Sequence, residues 1–430
     1  MRLAGAGPGQ HALVRALARG GGTEEELCGG AGAPGAGTRE LRYLLTLLEQ
    51  EGWICYSLIR DGRVLATLEP LAPALRFQWA GAGAWRLSRF AWLRRLEAGT
   101  VLETPLGFGR VRLDEPALLE ALGRLCRPQT PDALCAGCGL SLPQARVFLS
   151  LLASAGAAAP CDAGGSLPED RDPALRQWEF HDLLFHSRCR EGRHGDPVGG
   201  TFRFLGELAP LPALKPARPE GVPLPEPSPG AGPPFFEVLD ARRSIRAPGP
   251  EPITLAQLGG FLHYVARIRA VAPADPAAGR PYEAASRLCP GGGALHEIEL
   301  YLTVSRCAGL DAGFYHYAAA AHRLERWPDH EASGRMLIQA QRAMGAASAP
   351  DLLVTLAARM PRVAWKYQSI AYALVLKNAG VLFQQMYLVA TALGLAPCAI
   401  GTGDAQLFAQ ASGLAFTQET SVGEFALSGR

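Results

Sequence analysis

The apolar positions of the N-terminal part of the chain follow helical and strand periods in turn. In TRELRYLLTLLEQEGW, leucines recur at positions 41, 44, 45 and 48, which is the spacing of one face of a helix. The next stretch, WICYSLIRDGRVLATLEP, alternates on both sides of Asp61-Gly62, a pair typical of a tight hairpin turn. A helix followed by a hairpin is the outline of a winged helix.

The same theme returns between residues 85 and 165. VLETPLGFGRVRL predicts two short strands, and helices are predicted after Asp114, Thr130 and Ser141, whose side chains favour helix N-termini. We therefore predict two winged-helix-like units, residues 1–84 and 85–165. They contain no lysine and about as many acidic as basic residues, so we expect them to dock a peptide or to serve as a scaffold rather than to bind DNA.

A proline-rich stretch precedes a change of pattern. Residues 209–234 contain ten prolines, which predict an extended linker after a connecting segment over 166–208. Beyond it, HEIELYLTV alternates strictly, and GFYHY, RLERW and APDLLVTLAA predict further strands. Helices predicted at 254–265 and 369–394 flank these strands. Residues 235–430 are therefore predicted to form an α+β domain.

Composition and charge exclude several classes of function. Lys and Arg number 42 against 40 acidic residues, so we expect neither a nucleic-acid partner nor an anionic-membrane surface. The first twenty residues lack the apolar core of a secretory signal, which predicts a cytoplasmic protein. The uncharged run from 378 to 403 contains two glutamines and Pro397, and predicts a buried helix ending near Gly394. The CxxC at Cys135 has no second ligand pair, so no metal site is expected.

Three clusters beyond the linker are candidates for binding a cofactor. ARRSIR, ending at Arg246, can present two guanidinium groups and a hydroxyl to one phosphate. CPGGGAL, from Cys289, lets the backbone approach a flat ligand closely, and PCAIGTGD, from Pro397, again offers backbone at close range. Each has a plainer explanation, because basic triplets often face solvent and glycine runs are often merely flexible.

Lys366 and Tyr367 stand side by side in RVAWKYQSIAY, a largely apolar segment. A lysine can lie on apolar neighbours with its ammonium group in water and needs no further role. Burial in an apolar pocket, however, disfavours the charged form of a lysine, whose ordinary pKa is about 10.4, and would make the amine a base. The pattern alone leaves both interpretations open.

Together these stretches resemble the nitroreductase-like flavoproteins and, within them, the SagB-type peptide dehydrogenases, which are azoline oxidases of thiazole and oxazole peptide biosynthesis. The resemblance runs from about Trp85 to the end of the chain. It is carried by RRSIR, CPGGGALHEIELYL, GFYHY, WKYQSIAY, LSRFAWLRRLEAGTVLETPLG and WEFHDLLFHSRCREGRHGDPVGGTFRF. It implies a C-terminal nitroreductase-like FMN domain with a mixed sheet flanked by helices.

The resemblance assigns cofactor-binding roles to nine residues. The FMN phosphate and ribityl chain would be held by Arg242, Ser244 and Arg246. The isoalloxazine would lie along Pro290, Gly291 and Gly292, with Ile400, Gly401 and Thr402 at its other edge. Two subunits share each flavin site in this fold, so a homodimer is implied.

The chain departs from the family pattern at three places. Gly291 stands where relatives commonly have serine, which removes a hydroxyl and leaves the backbone amide. Cys189 replaces a usual serine, and the chain stops at Arg430, which puts a basic phosphate partner from the tail in doubt.

The resemblance makes Lys366 and Tyr367 the catalytic pair. Converting an azoline into an azole removes a proton from one ring carbon and a hydride from its neighbour, so the site needs a base and an electron acceptor. We expect neutral Lys366 to take the proton, Tyr367 to orient the ring or share the proton, FMN to take the hydride and oxygen to reoxidise the flavin. An azoline-containing precursor peptide and a cyclodehydratase complex are the implied partners.

Two other functions stay open. One is a general NAD(P)H-dependent flavin nitroreductase or quinone reductase, against which the large N-terminal half argues. The other is a non-catalytic peptide-docking scaffold of a biosynthetic complex. Among the histidines near these motifs, His181, His186 and His296, structural roles are expected, although His296 lies closest to the glycine loop.

Overall fold

The computed structural model describes residues 7–29, 38–97, 99–228, 232–328 and 332–430. The chain forms two compact units, residues 1–196 and 197–430, here called unit 1 and unit 2. The sequence predicted domain boundaries at residues 84, 165, 208 and 234. These boundaries stay predictions except where the observed strand pairing or packing differs from them. Residues 1–6 and 30–37 of the predicted first unit, and 229–231 of the predicted linker, lie outside the described residues.

Unit 1 combines helices with short strands. Its described helices are α1 (Pro8–Ala18), α2 (Glu24–Gly29), α3 (Thr38–Gln50), α4 (Ala117–Leu125), α5 (Pro131–Cys138), α6 (Leu142–Ser154), α7 (Pro168–Arg171) and α8 (Phe180–Arg188). Its described strands are β1 (Tyr56–Arg60), β2 (Arg63–Pro70), β3 (Trp85–Leu87), β4 (Trp92–Leu96), β5 (Gly99–Glu103), β6 (Gly109–Leu113) and β7 (Ala158–Pro160). A 3₁₀ helix covers Leu175–Gln177.

Five strands of unit 1 form one antiparallel sheet in the order β1-β2-β6-β5-β4. β2 and β6 pair in its middle, with Leu68 opposite Val111. The boundary predicted at residue 84 therefore lies inside a single sheet, because each hairpin is too small to be stable alone and the two cover a shared core. That core continues into α4, α5 and α6.

The first predicted helix and hairpin are confirmed by α3 and the β1–β2 pair. Asp61 and Gly62 have φ angles of 51° and 75°, as a type I′ hairpin turn requires. The side chains of Thr130 and Ser141 cap α5 and α6, again as predicted. The winged-helix interpretation of these elements stays a prediction.

Unit 2 is built around longer elements. Its described helices are α9 (Phe235–Ala241), α10 (Leu255–Ala266), α11 (Ser333–Met344), α12 (Met360–Ala364), α13 (Ala371–Ala392) and α14 (Ala405–Ser412). Its described strands are β8 (Gly199–Gly200), β9 (Val222–Pro223), β10 (Ile268–Ala272), β11 (Ala284–Arg287), β12 (Ile298–Val304), β13 (Gly313–Ala318), β14 (Arg323–Arg326), β15 (Leu352–Arg359), β16 (Tyr367–Gln368), β17 (Ala396–Ile400) and β18 (Glu419–Ser428). A 3₁₀ turn covers Gly292–Ala294.

A seven-stranded sheet in the order β17-β18-β15-β12-β13-β14-β9 forms the centre of unit 2. Helices α10 and α13 cover one face and α11 and α14 the other. β12 is buried along its whole length for this reason, although strict alternation is typical of a half-buried strand. The α+β class is confirmed, while the described strand pairs of this sheet are all antiparallel rather than mixed.

The described part of the proline-rich stretch, residues 209–228, packs on unit 2 and is not a free linker. β9 is the edge strand of the sheet and pairs with β14 on one side only. Proline is tolerated there because the other side of the strand needs no ladder hydrogen bonds. Lys215 Nζ donates to the Glu419 carboxylate at 2.8 Å and to the Tyr301 hydroxyl at 2.6 Å. This partly buried ion pair holds the stretch against the sheet.

α13 is the helix predicted over 369–394. Val375, Ala379, Leu382, Met386 and Ala390 are buried, most of them against the sheet. By length and composition alone the helix is also long and apolar enough to cross a membrane. Its other side carries exposed apolar residues, among them Leu376 and Val381.

Candidate active site

The amine of Lys366 lies at the glycine loop of CPGGGAL. Lys366 follows the short helix α12, and its Nζ atom donates to the hydroxyl of Tyr282 at 2.5 Å. That hydroxyl in turn donates to the carbonyl oxygen of Gly293 at 3.0 Å. The structure therefore joins the predicted lysine to the predicted glycine cluster through a tyrosine that the sequence did not single out.

Three aromatic rings surround the amine. Nζ of Lys366 lies 4.6 Å from the ring centre of Tyr282, 4.9 Å from that of Tyr367 and 5.8 Å from that of Phe202. Ring faces attract a positive charge. The predicted apolar pocket is thus a half-buried aromatic one, neither open solvent nor a fully dry cavity.

Gly293 is the residue that the side chains of Lys366 and Tyr367 approach most closely in this loop. A Cβ atom at Gly293 would lie 2.5 Å from Nζ of Lys366 and 2.6 Å from the hydroxyl oxygen of Tyr367. Its φ angle of 63° is also in the left-handed region that favours glycine. The sequence predicted Pro290, Gly291 and Gly292 as the contact residues and missed this third glycine.

The inner side of the glycine loop is held by α13. The amide of Gly292 donates to Asn378 Oδ1 at 3.3 Å, and Asn378 Nδ2 donates to the buried Glu297 carboxylate at 2.9 Å. Pro290 and Gly291 line a cavity of only about 10 Å³ here, the space of about one water molecule. The loop also has an outer side that solvent reaches, because Pro290 is exposed and Gly291 and Gly292 are half-buried.

The arginine cluster meets the strand before residues 400–402. The Ser244 and Tyr387 hydroxyls share a hydrogen bond of 2.7 Å, and the Tyr387 hydroxyl accepts one from the amide of Ala399 at 2.9 Å. The amide of Ile245 also donates to the Pro397 carbonyl at 2.8 Å. The first and third predicted clusters therefore form one site.

The guanidinium groups of Arg242 and Arg246 are exposed, and among the described carboxylates neither has an ion-pair partner. Arg242 lies over the ring of Tyr387 at 5.3 Å. Ile400 ends β17, and Gly401 and Thr402 follow in an exposed turn. The backbone of Arg430 packs against Gly249, so the chain end lies a few residues beyond this cluster.

The two groups of residues lie on opposite sides of α13. Asn378 contacts the glycine loop and Tyr387 contacts the arginine cluster, and nine positions on an α-helix are about two and a half turns. One chain therefore does not bring all the predicted site residues together. Arg242, Ser244, Arg246 and Ile400 lie on one side, and Pro290, Gly291, Gly292, Lys366 and Tyr367 on the other.

Arg362 holds the backbone around the lysine site. Its buried guanidinium donates to the carbonyl oxygens of Leu295 and Leu211 at 2.6 Å and of Glu283 at 2.8 Å. Burial, with Arg359 nearby, lowers its pKa to about 10. Glu283 directly follows Tyr282, and Leu295 lies two residues after Gly293. Arg362 therefore binds the backbone next to both of these residues.

The histidines have separate environments. Burial, together with Arg287 and Arg362, lowers the pKa of His296 to about 4, so the ring is neutral near pH 7. In unit 1, His186 stacks on Trp178 at 5.7 Å, and His181 is exposed. A cavity of about 590 Å³ in unit 2 lies at the β9 edge and is lined by none of the predicted site residues.

Five residues of the site were missed by the sequence: Tyr282, Gly293, Arg362, Asn378 and Tyr387. Asn378 and Tyr387 gave a usable signal, because polar side chains in a largely apolar helix need partners. No such signal pointed to Tyr282, because the surrounding segment PYEAAS matches no recognisable sequence pattern.

Comparisons with known proteins show similarity over two segments of the chain. Residues 85–195 match the model of the cyanobactin oxidase ThcOx, and residues 239–428 match that of the nitroreductase family. A Methanocaldococcus jannaschii protein named as a nitroreductase is 30% identical over 165 residues, which cover 38% of this chain and 77% of that protein.

Solved structures give weaker likenesses. A protein from Anabaena variabilis described as a nitroreductase matches with a TM-score of 0.39 and 17% identity, over 91% of this chain and 88% of that one. The Escherichia coli microcin synthetase McbBCD complex with truncated pro-MccB17 bound matches with a TM-score of 0.34 and 21% identity, over 42% of this chain and 65% of that one. These scores are too low to carry the assignment, which rests on the family models and the sequence relative. The predicted resemblance is confirmed: the chain is an oxidoreductase that belongs to the nitroreductase family.

Proposed function

We propose that this protein is an FMN-dependent dehydrogenase that oxidises thiazoline or oxazoline rings of a ribosomally made precursor peptide to aromatic azoles. The observation that carries the proposal is the amine of Lys366, held by Tyr282 beside Gly293 with the hydroxyl of Tyr367 next to it. The match of residues 85–195 to a peptide-modifying oxidase model supports it.

The residues present fit FMN. The exposed guanidinium groups of Arg242 and Arg246 and the hydroxyl of Ser244 suit a phosphate, for which paired arginine forks are favourable. Pro290, Gly291 and Gly292 expose an outer backbone surface for the ring system, and Ile400, Gly401 and Thr402 lie with the arginines. When bound, FMN would supply the acceptor for the hydride.

A homodimer would complete the site. Because the arginine side and the lysine side lie on opposite sides of α13, a second copy is needed to place one against the other. Exposed apolar residues surround this helix, as expected for an interface between copies: Phe235, Phe236, Leu239, Leu376 and Val381.

Lys366 takes the proton in this reaction. The C–H bond of one ring carbon breaks, its proton moves to Nζ of Lys366, and the neighbouring carbon loses a hydride as the ring double bond forms. Tyr367 orients the ring or shares the proton. The amine is half-buried, so the proton can pass on to solvent afterwards.

Unit 1 is proposed to dock the precursor peptide. β1 and β4 are the edge strands of its five-stranded sheet, and an extended peptide can add to such an edge. A cyclodehydratase complex that makes the azolines, cytoplasmic action and reoxidation by oxygen complete the proposal.

The purified protein, reconstituted with FMN, tests the proposal against the alternatives. We expect yellow flavin absorbance and, with an azoline peptide and oxygen, a product lighter by two hydrogens in the mass spectrum. A protein that binds no FMN favours the docking scaffold. A protein that consumes NADPH with a nitro compound or quinone and leaves azolines intact is a general reductase.

A further inference from the structure

We propose that Tyr282 is a positioning residue that sets the place of the Lys366 amine against the glycine loop. The inference rests on the proposed function for the role of the amine itself. Its geometrical part, the dependence of the amine position on one hydroxyl, stands on the structure alone.

The direction of the two hydrogen bonds defines the role of Tyr282. Its single hydroxyl proton is used on the Gly293 carbonyl at 3.0 Å, so toward Nζ of Lys366 the oxygen can only accept. One N–H of the amine is thereby directed at Tyr282. The other positions on nitrogen point away from it and stay available for a substrate.

Tyr282 is itself held rigidly. Its side chain is 5% exposed and packs in a small core with Leu295, Val363 and Trp365. The next residue, Glu283, gives its carbonyl to the buried Arg362. A fixed hydroxyl is therefore available as a support.

Lys366 needs such a support. Its side chain is long and flexible, it is only half-buried, and it forms no ion pair with a described carboxylate. Without the Tyr282 hydroxyl, only the faces of the three aromatic rings would hold the amine. Such contacts keep the amine within a range of distances from the rings but do not fix its position. Tyr282 is buried behind the loop, whereas Tyr367 is half-buried and can face a substrate.

The sequence offers a sharp experiment because it contains only three lysines, Lys215, Lys366 and Lys377. In the full-length protein labelled with ¹³C-lysine, each ε-carbon gives one NMR signal, assigned by substituting each lysine. The signal of Lys366 should be displaced from that of the exposed Lys377 by the ring currents of the three aromatic neighbours. In Tyr282→Phe, which keeps the ring and removes the hydroxyl, it should move toward the Lys377 signal.

The matched control is Tyr315→Phe. Tyr315 donates to the carbonyl of Asp311 at 2.9 Å and contacts no residue of the lysine site, so the Lys366 signal should stay in place. A Lys366 signal that is the same in wild type and Tyr282→Phe would overturn the proposal. Should Tyr282→Phe not fold, a nuclear Overhauser effect between the Lys366 ε-protons and the Tyr282 ring in wild type decides: its presence supports the proposal and its absence overturns it.

Measurements of azoline turnover distinguish a failure of this inference from a failure of the proposed function. With an azoline peptide, kcat of Tyr282→Phe should fall about tenfold to a hundredfold, the cost of a misplacement of about 1 Å, with KM and flavin content unchanged. A moved Lys366 signal together with full azoline turnover would show that the position of the amine is irrelevant and overturn the role. A moved signal in a protein whose wild type oxidises no azoline would leave the positioning intact and overturn the proposed function instead.

Discussion

Nζ of Lys366 lies 2.5 Å from the hydroxyl oxygen of Tyr282, a residue 84 positions earlier in the chain. The contact joins the turn after α12 to the stretch before β11. Gly293, in a third segment, accepts a hydrogen bond from Tyr282 and lies next to the amine. The amine site is therefore built from three separate segments. Its precision depends on each of them.

Replacing Gly293 by alanine should disturb both catalytic side chains at once. The new methyl group would meet Lys366 Nζ and the Tyr367 hydroxyl, which are mobile ends of side chains and would move rather than unfold the protein. Alanine at a positive φ costs about 1 kcal/mol of unfolding free energy. Azoline turnover should fall at least about tenfold, with FMN retained.

Gly279→Ala is the control for that substitution. Gly279 also has a positive φ, 72°, and a Cβ there would meet nothing within 4 Å. It should lose similar stability and keep its turnover. Equal turnover in the two variants would contradict the assigned place of the catalytic pair.

Replacing Arg362 by methionine should destabilise unit 2. The buried carbonyl of Leu295 and the partly buried carbonyls of Leu211 and Glu283 would lose their donor. Each unsatisfied group costs on the order of 1 kcal/mol, so we expect a loss of about 3 kcal/mol. Urea unfolding measures the difference. Arg342→Met, at an exposed position of α11, should change stability by less than about 0.5 kcal/mol. Similar losses in both variants would show that Arg362 does not organise the loop.

His296 predicts a pH dependence of stability. Its pKa is about 4 in the folded protein against an ordinary value of 6.5, so between these values the unfolded state binds more protons. The stability from its neutral form is present above pH 6.5 and is lost as the pH falls toward 4. Asparagine tolerates the positive φ of this position, so His296→Asn should lose less stability than wild type over that window. If the stability of the two proteins depended on pH in the same way, His296 would not be the source of this pH dependence.

Phe236→Glu tests the homodimer. Phe236 is 76% exposed on α9, and a carboxylate there would oppose burial against a second copy. Light scattering should show a dimer for wild type and a monomer with reduced flavin content for the variant. Phe416→Glu, at another exposed apolar residue, should stay dimeric. A wild-type monomer saturated with FMN would contradict the shared site.

Local patterns predicted much of the fold because they depend on neighbours in sequence. The Asp61-Gly62 turn, the caps at Thr130 and Ser141, and α13 all follow from such short-range chemistry. The helix predicted after Asp114 begins only at Ala117, because the Asp114 carboxylate binds Arg112 instead of capping it.

Long-range contacts were beyond such patterns. The proline-rich stretch looked like a linker because the partner of Lys215, Glu419, is 204 positions away. The resemblance correctly named a lysine and a glycine loop that do lie together. It did not point to Tyr282 or Arg362. Tyr282 acts as a hydroxyl acceptor and Arg362 binds three backbone carbonyls, and neither kind of contact produces a periodic pattern in the sequence.

The most direct test of the central claim is azoline turnover of Lys366→Met, measured by mass spectrometry in a sample whose bound FMN is quantified, beside Lys377→Met at the exposed lysine of α13. We predict that Lys366→Met keeps its flavin and loses about a hundredfold or more of the turnover, the usual contribution of a positioned base, while Lys377→Met keeps both. Full turnover by flavin-loaded Lys366→Met would contradict the account.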